Sequence, residues 1–146
     1  MVRATEKEII KQAESWVGTP YCHGQYLKGV GADCAGLSVA VWKELEWLPR
    51  QYKPPVVNRD WGLHNDVSAM AEEVTKFADR VVGELRVGDL LLFKNGKCAA
   101  HSGIYIGNNK MIHCTERRGV SMVNVSHHIK RSKQAYHSSW RVKNGR

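Results

Sequence analysis

The apolar residues of this chain change their period once, near Val81, and that change sets the class of fold. Before it they recur at helical spacing; after it they alternate along short segments bounded by turn residues. Ile9, Ile10, Ala13, Trp16 and Val17 form an amphipathic stripe that follows a Thr5-x-x-Glu8 capping box and stops at Gly18-Thr19-Pro20. A Gly-rich loop through Gly24, Gly29 and Gly31 leads to a second stripe, Leu37, Ala40, Val41 and Leu45, with Cys34 in its first turn. Pro49, Pro54 and Pro55 mark a surface connection, and a polar-faced helix is expected over roughly 64–79. Strands are expected near 89–94, 100–106, 110–114, 120–125 and 134–142, joined by Asn95-Gly96 and Gly107-Asn108-Asn109 turns. Helices followed by an antiparallel sheet make an α+β arrangement.

A length of 146 residues fits one domain spanning 1–146, with no internal repeat or linker to divide it. Hydrophobic residues at 42% and charged residues at 25% exclude a disordered chain. No apolar run approaches the roughly 18 residues of a membrane span. The opening residues lack the apolar stretch of a signal peptide, so synthesis in the cytoplasm is expected. Four cysteines there are expected to stay reduced, which leaves a free thiol available for chemistry. Residues 1–106 hold 13 Lys+Arg against 13 Asp+Glu, so the net charge of +8 lies entirely in the last forty residues. A basic face of this kind suits nucleic acid, an anionic cell-wall polymer or an acidic protein surface.

Cys34 lies in Gly31-Ala32-Asp33-Cys34-Ala35-Gly36-Leu37, where its sulfur is expected at a helix N-terminus. Unpaired N–H groups and the helix dipole there favour an anion, so a thiolate is expected. His101 opens the strand His101-Ser102-Gly103-Ile104-Tyr105-Ile106, with Ile104 and Ile106 on the opposite, core-facing side. It is the expected base for the thiol. His113, in Met111-Ile112-His113-Cys114, is expected to orient His101 by a hydrogen bond. Register decides this: a three-residue Gly107-Asn108-Asn109 loop puts His113 opposite Gly103 and diagonal to His101 on one face. A two-residue Asn108-Asn109 turn puts the histidines on opposite faces. A cysteine at a helix start upstream of two strand histidines is the order expected of a thiol protease-like site.

These residues resemble the NlpC-type cell-wall cysteine peptidases, papain-like enzymes that cut peptidoglycan stem peptides. The resemblance covers most of the chain: Trp16-Val17-Gly18-Thr19-Pro20-Tyr21, Asp33-Cys34-Ala35-Gly36-Leu37, Val87-Gly88-Asp89-Leu90-Leu91, His101-Ser102-Gly103-Ile104-Tyr105-Ile106-Gly107 and Met111-Ile112-His113, in that order. It implies a papain-like fold with N-terminal helices packed on a central antiparallel sheet of about five to six strands. It further implies Cys34 as nucleophile, His101 as base and then acid, and His113 as the third polar residue. The Tyr21 hydroxyl would join the Cys34 N–H in stabilising the oxyanion, and Asp33 would bind a substrate amino group. Each has a plainer competing role, Tyr21 as packing at the helix end and Asp33 as an N-cap. Ala35 stands where the family commonly has serine, and Gln25 where it has a second glycine. The Gly-Val-Gly-Ala approach to Asp33 and Trp42-Lys43-Glu44-Leu45 resemble members encoded with phage-tail and gene-transfer-agent modules. Phage-tail proteins are then implied partners, and the cell wall, reached in a virion, by export or after lysis, the implied place of action.

No cofactor or metal is expected, because Cys22, His23, Cys98 and Cys114 lack the paired short spacings of a zinc site. His64, His127, His128 and His137 are read as surface histidines. Two rival functions remain open. Arg117, Arg118, Lys130, Arg131, Lys133, Arg141, Lys143 and Arg146 crowd the last segment as in a nucleic-acid-binding module, although no nucleic-acid motif accompanies them. The same fold would also serve as a tail-tip structural part with little turnover, or as a thiol acyltransferase.

Overall fold

A computed structural model describes residues 3–55 and 68–143. Helix α1 (Glu6–Glu14) starts at a complete capping box: the Thr5 side chain accepts from the Glu8 N–H, and the Glu8 carboxylate accepts from the Thr5 N–H. A two-residue hairpin, β1 (Tyr26–Leu27) and β2 (Gly31–Ala32), then delivers the chain to α2 (Cys34–Glu44). The short α3 (Ala69–Val74) precedes six strands: β3 (Ala78–Arg80), β4 (Leu90–Asn95), β5 (Cys98–Gly107), β6 (Lys110–Thr115), β7 (Gly119–Asn124) and β8 (Ala135–Val142). They form one antiparallel sheet in the order β3-β8-β4-β5-β6-β7. Helix α4 (Val125–Ser132) joins β7 to β8.

Alternation divides the central strands between two apolar layers. Leu90 and Leu92 of β4, Ile104 and Ile106 of β5 and Ile112 of β6 face α1 and α2, where Ile9, Ala13, Leu37, Val41 and Trp42 complete the main core. Each fully buried aliphatic side chain there contributes about 1.5–3 kcal/mol. Leu91, Phe93 and Met111 point the other way into a smaller cluster covered by Val123, Val125 and Ile129. Indole N–H groups fasten the helices: Trp16 donates to Glu44 Oε1 at 2.6 Å and Trp42 to the Gly88 carbonyl at 3.2 Å. Asp89, buried before β4, accepts two bonds from Arg141 of β8 at 2.9 and 2.8 Å and one from the Arg86 N–H. Arg141 is thus a structural partner inside the fold and not a free cation of a basic face.

Three local expectations change. The helix expected over 64–79 is shorter: residues 64–67 lie outside the described residues, α3 ends at Val74, and 78–80 pair with β8 as an edge strand. Residues 126–132, expected as a connection between strands, are helical together with Val125, expected as the end of a strand, because the Asn124 side chain caps the His127 N–H and Val125 and Ile129 share a buried-side stripe. The β5–β6 turn has only two residues at its tip, Asn108 and Asn109, both at positive φ. The odd residue is carried instead as a bulge between Tyr105 and Gly107, and His113 accordingly pairs with Gly103. Among the described residues no helix is long and apolar enough to cross a membrane.

Candidate active site

Cys34 is the first residue of α2, and its position is held from three sides. The Asp33 carboxylate caps the helix through Gly36 N–H at 2.7 Å and spans to Gly24 N–H, also at 2.7 Å, tying the preceding loop to the helix start. Gly36 is required for this closeness: a Cβ there would stand 2.4 Å from the Gln25 carbonyl oxygen and 2.9 Å from Asp33 Oδ1. The Ser38 and Ser102 hydroxyls each reach the Cys34 carbonyl at 3.1 Å and lie 3.1 Å from one another, so α2 and β5 are pinned at the level of the thiol. Sequence reasoning misses both serines, although a polar residue at an inward position of β5 is itself a signal.

Cys34 Sγ is 3.9 Å from the carbonyl oxygen of Ala100, the residue before His101. Cys34 and His101 line one cleft of about 310 Å³, together with Tyr21, Asp33, Cys114, Glu116 and Gln134. His101 Nε2 and His113 Nδ1 are 2.9 Å apart, both rings buried, which leaves His101 Nδ1 as its other ring nitrogen. Gly103, directly opposite His113, makes room for this bond, since a Cβ there would meet His113 Cβ at 3.3 Å and Met111 Sδ at 2.6 Å. Tyr21 is bridged to Ala32, two residues before Cys34, which brings it to the rim of the same cleft.

The electrostatics correct the expected thiolate. Burial, followed by the neighbouring Asp33 carboxylate, pushes the Cys34 thiol up to about 11, against hydrogen bonds from Ser102 and the Ala35 backbone that favour the anion. The carboxylate that caps the helix therefore opposes the charge that the helix N-terminus would stabilise. Burial, with His113 and His128 beside it, holds His101 well below its ordinary range. Burial, His128 and Arg118 lower His113 to about 4. Burial thus favours the neutral form of both the thiol and the imidazole.

His128 is a second correction. It is half-buried on α4, stacks on His101 at 5.3 Å between ring centroids, and meets His113 edge-on at 4.8 Å. Its Nε2 lies 2.9 Å from Gln134 Oε1. Sequence spacing hides this grouping because the three rings come from β5, β6 and α4. One nitrogen of each lies within 4.8 Å of the others, a donor set of the kind that holds a metal ion. His127 and His137 are exposed, as expected, and His64 and Arg146 lie outside the described residues.

The sequence profile of the NlpC/P60 family matches residues 18–141. The chain is 32% identical over 116 residues to Murein DD-endopeptidase MepS/Murein LD-carboxypeptidase of Escherichia coli K12, covering 79% of this chain and 52% of that protein. It is 32% identical over 114 residues to Probable endopeptidase NlpC of the same strain, covering 75% of this chain and 61% of that one. The chain thus spans between half and two thirds of these relatives. The NlpC/p60 domain of peptidoglycan hydrolase SagA shares the fold with a TM-score of 0.64 at 18% identity, covering 96% of this chain and 99% of that domain. An NlpC/P60 family protein from Bacillus cereus gives 0.68 at 20%, covering 97% of this chain and 41% of its own. With the expected α+β fold, its six-stranded antiparallel sheet and this match over most of its length, the chain belongs to the NlpC/P60 family.

Proposed function

We propose that this domain is a cysteine peptidase that hydrolyses an amide bond in peptidoglycan stem peptides. The observation that carries the reading is the His101–His113 bond set beside the Cys34 thiol in one cleft. With His101 donating from Nε2 to His113 Nδ1, its Nδ1 keeps a lone pair for the thiol proton. Because both groups rest neutral, the proton moves to His101 as the sulfur attacks the carbonyl carbon. His113 then stabilises the imidazolium through the same bond.

Charge developing on the carbonyl oxygen is met by the Cys34 N–H at the start of α2 and the Tyr21 hydroxyl, donors fixed before substrate arrives. His101 returns its proton to the departing amine, and a water, deprotonated by the same ring, cleaves the thioester. Asp33, on the cleft wall, receives the free amino group of a stem peptide; its capping bonds leave lone pairs on both oxygens.

Among stem-peptide bonds we favour the amide between D-glutamate and the diamino acid, by analogy with the family. The relatives' names include both a murein DD-endopeptidase and, at 24% identity, the Gamma-DL-glutamyl hydrolase of Bacillus subtilis, so the experiment must separate two bonds. The Gly-rich approach to Asp33 supports a tail-borne enzyme acting at the cell wall. Mass spectrometry of digested peptidoglycan fragments tests the proposal: new amines at a single bond are expected, and they vanish in Cys34→Ala and His101→Ala. Full turnover by Cys34→Ala overturns it.

A further inference from the structure

We propose that His101, His113 and His128 form a site for a borderline divalent transition metal, with Zn²⁺ the ion of choice, and that its occupation switches the thiol site off. Binding concerns the three rings alone; the inhibitory consequence rests on the peptidase reading above.

The donors are three imidazoles from three elements, with one nitrogen of each within 4.8 Å of the others. Two of the rings are buried and the third half-buried, and imidazole nitrogen suits Zn²⁺ in preference to Mg²⁺ or Ca²⁺. Tetrahedral Zn–N bonds of about 2.0–2.1 Å place donor atoms about 3.3 Å apart. The His101–His113 gap of 2.9 Å therefore opens by a few tenths of an ångström, and His128 swings inward by about 1.5 Å at most. Its partner is already in place: with His128 Nε2 donating to Gln134 Oε1, the lone pair is left on Nδ1, and such outer bonds orient ligating histidines. A water would complete the tetrahedral shell in the fourth position.

The chemical consequence is a tautomer change with no net gain or loss of protons. In the pair the mechanism needs, His101 carries its proton on Nε2 and its lone pair on Nδ1. The ion takes the Nε2 lone pair, so that proton leaves Nε2 and one is taken up at Nδ1. His101 remains neutral, but the atom that should accept the thiol proton is now occupied. The ion therefore inhibits without touching the sulfur.

Calorimetric titration of the full chain, free of any polyhistidine tag, with Zn²⁺ tests this. Binding of one ion per chain with Kd below about 50 μM is expected. His128→Phe, which keeps a ring against His101, should weaken binding about tenfold or more, and His128→Gln should do the same if the first variant folds poorly. Cys34→Ala should bind as tightly as the parent chain, and Co²⁺ should give visible absorption without a thiolate charge-transfer band. Weaker binding by the parent chain, an unchanged Kd in the folded His128 variant, or loss of binding in Cys34→Ala overturns the site. If the chain binds zinc but cleaves no stem peptide, the metal site stands and the peptidase reading falls. If it cleaves stem peptide without binding zinc, the peptidase reading stands and the metal site falls, and if saturating Zn²⁺ leaves cleavage by the parent chain undiminished, the switch falls.

Discussion

His101 and His113 stand on adjacent antiparallel strands, not directly opposite but one diagonal step apart, and bond at 2.9 Å across the bare Cα of Gly103. The contact depends on the bulge between Tyr105 and Gly107: without that extra residue every side chain of β6 would change face, and His113 would enter the helix-facing core.

On the proposed mechanism, His113→Ala is expected to lower kcat by about 10²-fold with KM little changed, because His101 keeps its place in the cleft but loses its bond to His113. His113→Asn, whose amide oxygen accepts the same proton, should recover part of the loss. Equal losses in the two variants would show that hydrogen bonding at this atom is not what His113 supplies. Steady-state rates on a defined stem peptide measure both.

Raised to about 11, the Cys34 thiol has its own kinetic signature. Below that value the thiolate fraction grows tenfold for each unit of pH, so the alkylation rate by iodoacetamide should climb continuously from pH 7 to pH 10. A rate that levels off near neutrality would mean a stable thiolate–imidazolium pair. Cys34→Ala supplies the background from Cys22, Cys98 and Cys114.

Much of this site is legible in the sequence, and the exceptions share a cause. The helix-start cysteine and the strand histidines follow from period and turn chemistry, which are local, whereas the odd residue that sets their register sits in the bulge between Tyr105 and Gly107 and not in the expected three-residue loop. The sign of the Cys34 shift is not local: it balances burial and the Asp33 carboxylate against the helix N-terminus, and only packing sets that balance. His128 is hidden because α4 is two turns long, exposes most of its residues, and is fixed by the cap at Asn124 and by Val125 and Ile129 under the sheet. Basic residues in its last turn read as a surface feature, and Arg141, counted with them in the basic last segment, lies on β8 and is committed to Asp89.

Acid should destabilise the fold in a defined window. His113 titrates near 6.5 when unfolded and about 4 when folded, so between those values the unfolded chain binds a proton that the native state refuses. Its contribution is fully present above pH 6.5, falls as pH drops, and is spent below about 4, a loss of about 3–4 kcal/mol at roughly 1.4 kcal/mol per unit. His101 shifts in the same direction and deepens the loss. Urea midpoints across this range should fall for the parent chain and fall less steeply for His113→Asn. Parallel slopes would mean that His113 is not held neutral.

The Asp89–Arg141 pair offers a test of the scaffold apart from the chemistry. Asp89 is 1% exposed and accepts both guanidinium bonds, so Arg141→Met leaves a buried carboxylate whose remaining partner among the described residues is the Arg86 N–H. Breaking one side of such a pair costs about 3–5 kcal/mol, whereas removing both charges together costs far less. Arg141→Met should therefore lower the urea midpoint sharply, and Asp89→Asn with Arg141→Met should restore much of it. Because the pair joins β8 to the start of β4, far along the strand from His101, the double variant should keep the parent kcat once folded. A double variant no more stable than Arg141→Met would show that Asp89 serves the fold through its backbone turn and not through its charge.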